Sequence, residues 1–248
     1  MFLHLHSLHI YYGFIKDFDF NILADLLTAD EKKRAHQFKV QNDQHLHIAS
    51  RVFLRRLLAA YLNMEASQVQ FEYGINGKPF AQGEHDVQFN VAHSNEVFLL
   101  GFVKKDAIGI DIEHLSRPID TKKISAFLFS ENELEKFQNA DQTLRHEQFI
   151  NCWTRKEAFV KAKGVGLSFP LKQLEVSFVR GEKAKVVSTM WHEHEQGEWF
   201  LESLDIPGNY RGAVAIQGKI ESIEVKNILE CKWLLNETLE NSELEKYN

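Results

Sequence analysis

The stretch Ala107-Ile108-Gly109-Ile110-Asp111-Ile112-Glu113 alternates apolar and acidic residues. A period of two reads as a half-buried strand, so Asp111 and Glu113 project from one face and Ile110 and Ile112 from the other. Two carboxylates on one strand face look like metal ligands. A third acid, Glu157, stands in Trp153-Thr154-Arg155-Lys156-Glu157-Ala158-Phe159-Val160-Lys161, four residues before Lys161 and on the same helical face. Taken alone, Glu157 and Lys161 read most plainly as a solvated ion pair worth about a few tenths of a kcal/mol. If Glu157 instead converges on Asp111 and Glu113, three negative charges share a small volume. Each pair at ~4 Å repels by ~4 kcal/mol at an effective dielectric near ~20. Such a site requires a cation, and oxygen-only ligands favour Mg²⁺, or Mn²⁺, over zinc.

The elements that must position these groups are visible around them. Phe149, Ile150, Trp153, Phe159 and Val160 recur at helical spacing, and Gly164 offers a left-handed stop with Lys161 and Lys163 in the last turn. An earlier helix carries the stripe Ile48, Val52, Leu54, Leu57, Leu58 and Tyr61, with Arg51 and Arg55 one turn apart. Two arginines on one ridge suit either acidic partners or a phosphate. Asn76-Gly77-Lys78-Pro79 is a turn whose backbone N–H groups and lysine suit an anion, although most such turns bind nothing. His93 sits between two strand-like pieces spanning Val87 to Val103, where a structural hydrogen bond is its plain reading. Thr28/Glu31 and Ser130/Glu133 have the spacing of capping boxes.

Gly109-Ile110-Asp111-Ile112-Glu113, followed downstream by Trp153 to Lys161, resembles the paired signature of the 4′-phosphopantetheinyl transferases. Three further stretches resemble segments of that family: Ala49-Ser50-Arg51-Val52-Phe53-Leu54-Arg55, Gly77-Lys78-Pro79 and Phe89-Asn90-Val91-Ala92-His93-Ser94. Two departures stand out in the last of these, Ala92 for a usual serine and Asn95 for a common glycine. The resemblance runs from about Thr28 to Ile216, and the length of the chain points to the larger, peptide- and polyketide-synthase-activating type. It implies transfer of 4′-phosphopantetheine from coenzyme A to a serine of an apo acyl or peptidyl carrier protein. It further implies Asp111, Glu113 and Glu157 as metal ligands, and Glu157, directly or through a bound water, with Lys161 as the catalytic pair. Coenzyme A contacts are implied for Arg51, Lys78, Pro79, Asn90, His93, Ser94, Asp111 and Lys156. Arg55 stays ambiguous. A catalytically silent coenzyme A-binding domain and an unrelated Mg²⁺-dependent phosphohydrolase are the alternatives.

The same resemblance implies an α+β fold built as a pseudo-twofold pair of subdomains, each a helix packed on an antiparallel sheet. The joint near Lys104–Ala107 divides residues 1–104, for the nucleotide, from 105–248, for metal and catalysis. Strands are expected at 1–15, 174–179, 184–189, 199–204 and 211–216. A net charge of −6 argues against general nucleic-acid binding. Two distant cysteines, Cys152 and Cys231, read as reduced thiols. No apolar run reaches a membrane span and the opening residues lack a leader's pattern, so a cytoplasmic monomer is expected. His4, His6 and His9 read as edge-strand histidines, and His192 and His194 as part of a solvated turn, rather than as zinc sites.

Overall fold

Side-chain alternation along the strands explains how the molecule is layered. The computed structural model of the chain describes residues 1–166, 169–190 and 195–235. The His192/His194 pair, the end of the Gly164–Ser168 turn and the tail from Glu237 lie outside the described residues. The first half runs β1 (Ser7–Phe14), α1 (Phe20–Asp25), α2 (Ala29–Ala35), α3 (Gln41–Leu62), β2 (Phe71–Tyr73), β3 (Pro79–Ala81), β4 (Val87–Ser94) and β5 (Val97–Lys104). The second runs β6 (Ile108–His114), α4 (Thr121–Leu128), α5 (Glu131–Asn139), α6 (Arg145–Lys163), β7 (Glu175–Val176), β8 (Val186–Ser188), β9 (Trp199–Leu204) and β10 (Tyr210–Gln217). Then come β11 (Ser222–Asn227) and α7 (Lys232–Leu235).

In β5, Phe98, Leu100 and Phe102 face the apolar side of α3, while Val97, Leu99 and Val103 face the other way, towards Ile108, Ile110 and Ile112 of β6. In β10, Val214 and Ile216 join that middle layer, whereas Ala213 and Ala215 lie under α6 with Phe149, Phe159 and Val160. The core is thus three clusters in series: α3 on a sheet, two sheets against each other, and α6 on the far sheet. Both expected capping boxes are made, at Thr28/Glu31 and at Ser130/Glu133. α6 ends at Gly164 with φ 69°, the left-handed stop expected of it.

The α+β, pseudo-twofold plan holds, with corrections. The first sheet has the order β11-β1-β5-β4, and β11 pairs with β1 in parallel, Ser7 opposite Ser222 through Tyr12 opposite Asn227. Residues 222–235 therefore return to the first half, and the division at 104/105 does not hold for them. Leu234 and Leu235 of α7 pack into the α3 cluster. β1 is consequently an inner strand. His9 on it is buried, its Nδ1 2.6 Å from the Tyr61 hydroxyl.

The second sheet has the order β6-β10-β9, so β4 and β6 are both edge strands, side by side at the joint. Side chains tie them where no backbone ladder forms. Asn90 Oδ1 accepts from the Ile110 amide at 2.9 Å, and Ser94 Oγ accepts from the His114 amide at 3.2 Å.

Candidate active site

Gly109 decides how close α6 comes to β6. A Cβ built there would lie 2.0 Å from the Ala158 carbonyl oxygen and 2.3 Å from the Ala162 nitrogen. Only glycine lets the helix backbone rest directly on the strand. That contact brings Glu157 and Lys161 down to the face carrying Asp111 and Glu113, the face the alternation assigns to them. All three carboxylates are buried, between 7% and 8% exposed.

Their partners are uneven. Lys161 Nζ donates to Asp111 Oδ1 at 2.6 Å, so the lysine pairs across elements and not with Glu157 one turn back. Asp111 Oδ2 is buried without a hydrogen-bond partner. Glu113 accepts from Ser94 Oγ at 2.9 Å and from the Arg117 guanidinium. Glu157 has no hydrogen bond or ion pair among the described residues.

Burial pushes all three carboxyls above their ordinary range. Asp111's charge pushes Glu113 and Glu157 further up, while Lys161 pulls all three down. The acids thus share one electrostatic site. In this arrangement no group of three His, Cys, Asp or Glu side chains among the described residues could hold a metal ion. Lys161 stands on Asp111 and Arg117 on Glu113 instead.

A continuous groove leads away along the joint. Its inner part is lined by Gly77, Lys78, Pro79, Asn90, Glu157 and Lys161, and its outer part by Arg34, His47, Arg51, Tyr73 and His93. Arg51 is buried, stacked 4.2 Å from the Phe71 ring centroid, donating to the Tyr73 hydroxyl and 3.3 Å from Glu31 Oε1. Arg55, left ambiguous by the sequence, is structural, its guanidinium donating to Glu31 and to the carbonyls of Ala66 and Val69. His93 stands at the rim between this groove and a polar depression bearing Asp43, Glu113 and Arg117. Crowding by protein lowers its pKa, Lys161 adds to that, and Asp43 and Asp111 oppose it.

Four implied coenzyme A contacts have polar atoms engaged within the protein, and two of them, Lys78 and Asn90, still line the groove. Lys156 is fully buried on the inner side of α6, its ammonium held by Glu133 and by the carbonyls of Leu128 and Leu171. It cannot reach the groove without leaving a buried carboxylate unpaired. Lys78 lines the inner groove, its ammonium donating to three carbonyl oxygens, of Ile108, Lys161 and Ala162. Asn90 Oδ1 and Ser94 Oγ are the atoms engaged by β6, as described above. Pro79 does line the groove. Arg34, His47 and Tyr73 were missed, since they come from α2, α3 and β2 and share no local pattern. His47 is half-buried with its Nε2 enclosed and unpartnered, its pKa lowered to about 4 by burial, Arg51 and Arg34.

Known proteins resemble the chain along most of its length. The family model for the 4′-phosphopantetheinyl transferase superfamily matches residues 107–215, and that for the 4′-phosphopantetheinyl transferase N-terminal region matches residues 16–102. The chain is 31% identical over 199 residues to the 4′-phosphopantetheinyl transferase HetI of Nostoc sp., covering 79% of this chain and 81% of that one. It is 26% identical over 192 residues to the 4′-phosphopantetheinyl transferase ffp of Bacillus subtilis, covering 77% and 83%. To the human L-aminoadipate-semialdehyde dehydrogenase-phosphopantetheinyl transferase it is 28% identical over 208 residues, covering 77% and 67%. With matches of that extent running through both halves and across the Asp111–Glu157 site, the chain belongs to the 4′-phosphopantetheinyl transferase superfamily, as an enzyme of its larger type.

Proposed function

We propose that the protein transfers the 4′-phosphopantetheine group from coenzyme A to a serine hydroxyl of an apo acyl or peptidyl carrier protein, releasing adenosine 3′,5′-bisphosphate. The observation that carries this reading is the buried acid site of Asp111, Glu113 and Glu157 at the inner end of a groove whose outer end is basic and aromatic. A pyrophosphate lying along the groove would put its scissile phosphorus beside the acids and its nucleotide end beside Arg34, His47, Arg51 and His93.

The residues suit a divalent cation, Mg²⁺ or Mn²⁺. Asp111 has a buried oxygen without a partner, burial pushes all three carboxyls up, and the charge of Asp111 pushes Glu113 and Glu157 further, a strain that a cation relieves. Asp111, Glu113 and Glu157 would hold it, and when bound it supplies charge neutralisation at the pyrophosphate. The chain's own groups do the rest. The serine oxygen attacks the phosphorus bearing the pantetheine arm as the bond to the adenosine bisphosphate breaks. Glu157, which has no hydrogen bond or ion pair among the described residues, takes the hydroxyl proton. Lys161 meets the charge that grows on the leaving oxygens. Arg51 and His93 hold the nucleotide end before and during the step.

The test is intact-mass analysis of several apo carrier proteins incubated with coenzyme A and Mg²⁺. A mass gain of one phosphopantetheine on the carrier serine, lost in Asp111→Ala, is expected. Coenzyme A cleaved without any gain on a carrier would replace the transferase reading with a phosphohydrolase. Coenzyme A bound but never consumed would leave a silent binding domain.

A further inference from the structure

The turn between β2 and β3 belongs to the first half, yet its polar side chains are spent on the second. Lys78 Nζ donates to the carbonyl oxygens of Ile108 at 2.8 Å, Lys161 at 2.9 Å and Ala162 at 3.4 Å. The last carbonyls of an α-helix find no N–H donor within the helix, and its C-terminal end carries partial negative charge. A cation placed there satisfies both needs. An ammonium has three N–H donors, and here each meets a carbonyl. Asn76 adds a second tie, its Nδ2 donating to the Gly164 oxygen at 2.7 Å.

The three carbonyls are not equivalent. Ile108 opens β6, and Lys161 and Ala162 close α6, so Lys78 spans the two elements at the level where Gly109 lets them touch. The carbonyl of Lys161 is held by Lys78, while the ammonium of the same Lys161 is on Asp111. Burial lowers the Lys78 pKa to about 8, which keeps it charged at neutral pH.

We infer that Lys78 is a positioning residue: its ammonium clamps the last turn of α6 to β6 and fixes where Glu157 and Lys161 stand relative to Asp111. It acts on the chemistry through the helix, not by touching a phosphate. The kinetic consequence rests on the transferase reading, whereas the clamp itself does not.

The experiment uses Lys78→Met, which keeps the stem and removes the donors, with Asn76→Ala as a milder variant should Lys78→Met fail to fold. Amide hydrogen exchange is followed in the ligand-free protein over residues 158–166. Exchange at the end of α6 is expected to rise by about tenfold, as for the loss of one or two hydrogen bonds. In carrier modification at saturating coenzyme A, kcat is expected to fall by about tenfold to 10²-fold, the order for a reacting group displaced by ~1 Å. KM for coenzyme A should stay within about threefold. Unchanged exchange in both variants overturns the clamp. So does a rise in KM at constant kcat, which marks a phosphate ligand. If the wild-type protein modifies no carrier, the transferase reading fails, and the exchange result still decides the clamp.

Discussion

Replacing Gly109 with alanine should separate α6 from β6 and disable the site at a cost the fold survives. The new methyl would meet the Ala158 oxygen at 2.0 Å, the Ala162 nitrogen at 2.3 Å and the Lys161 carbonyl carbon at 2.9 Å. All three are backbone atoms of one helix, so none can swing aside as a side chain does. Ordinary contact begins near 3.4 Å, so the helix must retreat by about 1 Å or more, or tilt about its far end. Overpacking of this kind costs about 1–3 kcal/mol, sometimes more, against a total stability of roughly 5–15 kcal/mol. Glu157 and Lys161 ride on the displaced turn. An error of about 1 Å in a reacting group can cost ~10²-fold in rate. Gly101→Ala is the control, because the nearest atoms to its methyl would be side-chain methyls of Ile10, Ile108 and Ile110 at 3.1 Å, with no backbone of α6 among them. The assay pairs urea unfolding with carrier modification at saturating coenzyme A. Gly109→Ala should lose both stability and about 10²-fold in kcat, and Gly101→Ala should lose mainly stability. A folded Gly109→Ala protein with a rate within twofold of wild type would refute the reasoning, since the close approach would then position nothing.

Three other perturbations are sharp. Glu157→Gln, compared with wild type in chelator, should raise Tm at pH 7–8. A carboxyl whose pKa is raised on folding binds more protons in the folded state, so wild type carries its full penalty above the folded value and recovers as pH falls towards the ordinary value near ~4; a Tm difference that does not shrink with falling pH would contradict the shift. Arg51→Ala should raise KM for coenzyme A more than it lowers kcat, and should erase most of the preference for coenzyme A over its 3′-dephospho form if Arg51 holds that phosphate. Lys156→Met should destabilise the protein by about 3–5 kcal/mol in urea titrations, because Glu133 is left buried and unpaired; a stable variant with weakened coenzyme A binding would restore a ligand role for Lys156.

Much of the site was legible because its determinants are local. Strand alternation alone places Asp111 and Glu113 on one face, and a four-residue spacing places Glu157 and Lys161 on another. Gly164 marks the end of α6 because the turn demands a positive φ, here 69°. What stayed hidden depends on chain segments far apart. The ammonium of Lys78 finds carbonyls 30 to 84 residues away, and nothing in an Asn-Gly-Lys-Pro turn announces that. β11 pairs with a strand at the other end of the chain, so its short alternating run had no local partner to reveal it. Lys156 did leave a signal. It lies four residues after Cys152 and three before Phe159, inside the buried stripe of α6, where a lysine needs a buried acid. Glu133 is that acid, and its own place in a capping box had hidden it.

The joint between the halves explains why neither half alone carries the site. The acids and the helix that brings Glu157 belong to the second half. Their surroundings come from the first: Ser94 on Glu113, Asn90 on the amide beside Asp111, Lys78 and Asn76 on the end of α6. The middle apolar layer is shared in the same way, with Val97, Leu99 and Val103 facing Ile108, Ile110 and Ile112. Each such side chain is worth about 1.5–3 kcal/mol when buried, so parting the sheets would cost far more than any single polar tie. The apolar layer therefore supplies the holding force, while the polar ties set register. A misregister of one residue along β4 and β6 would turn Asn90 and Ser94 away from the Ile110 and His114 amides and strip Glu113 of its serine. The groove runs along this same line because the two edge strands leave it open there, and a ligand lying in it touches residues from both halves at once.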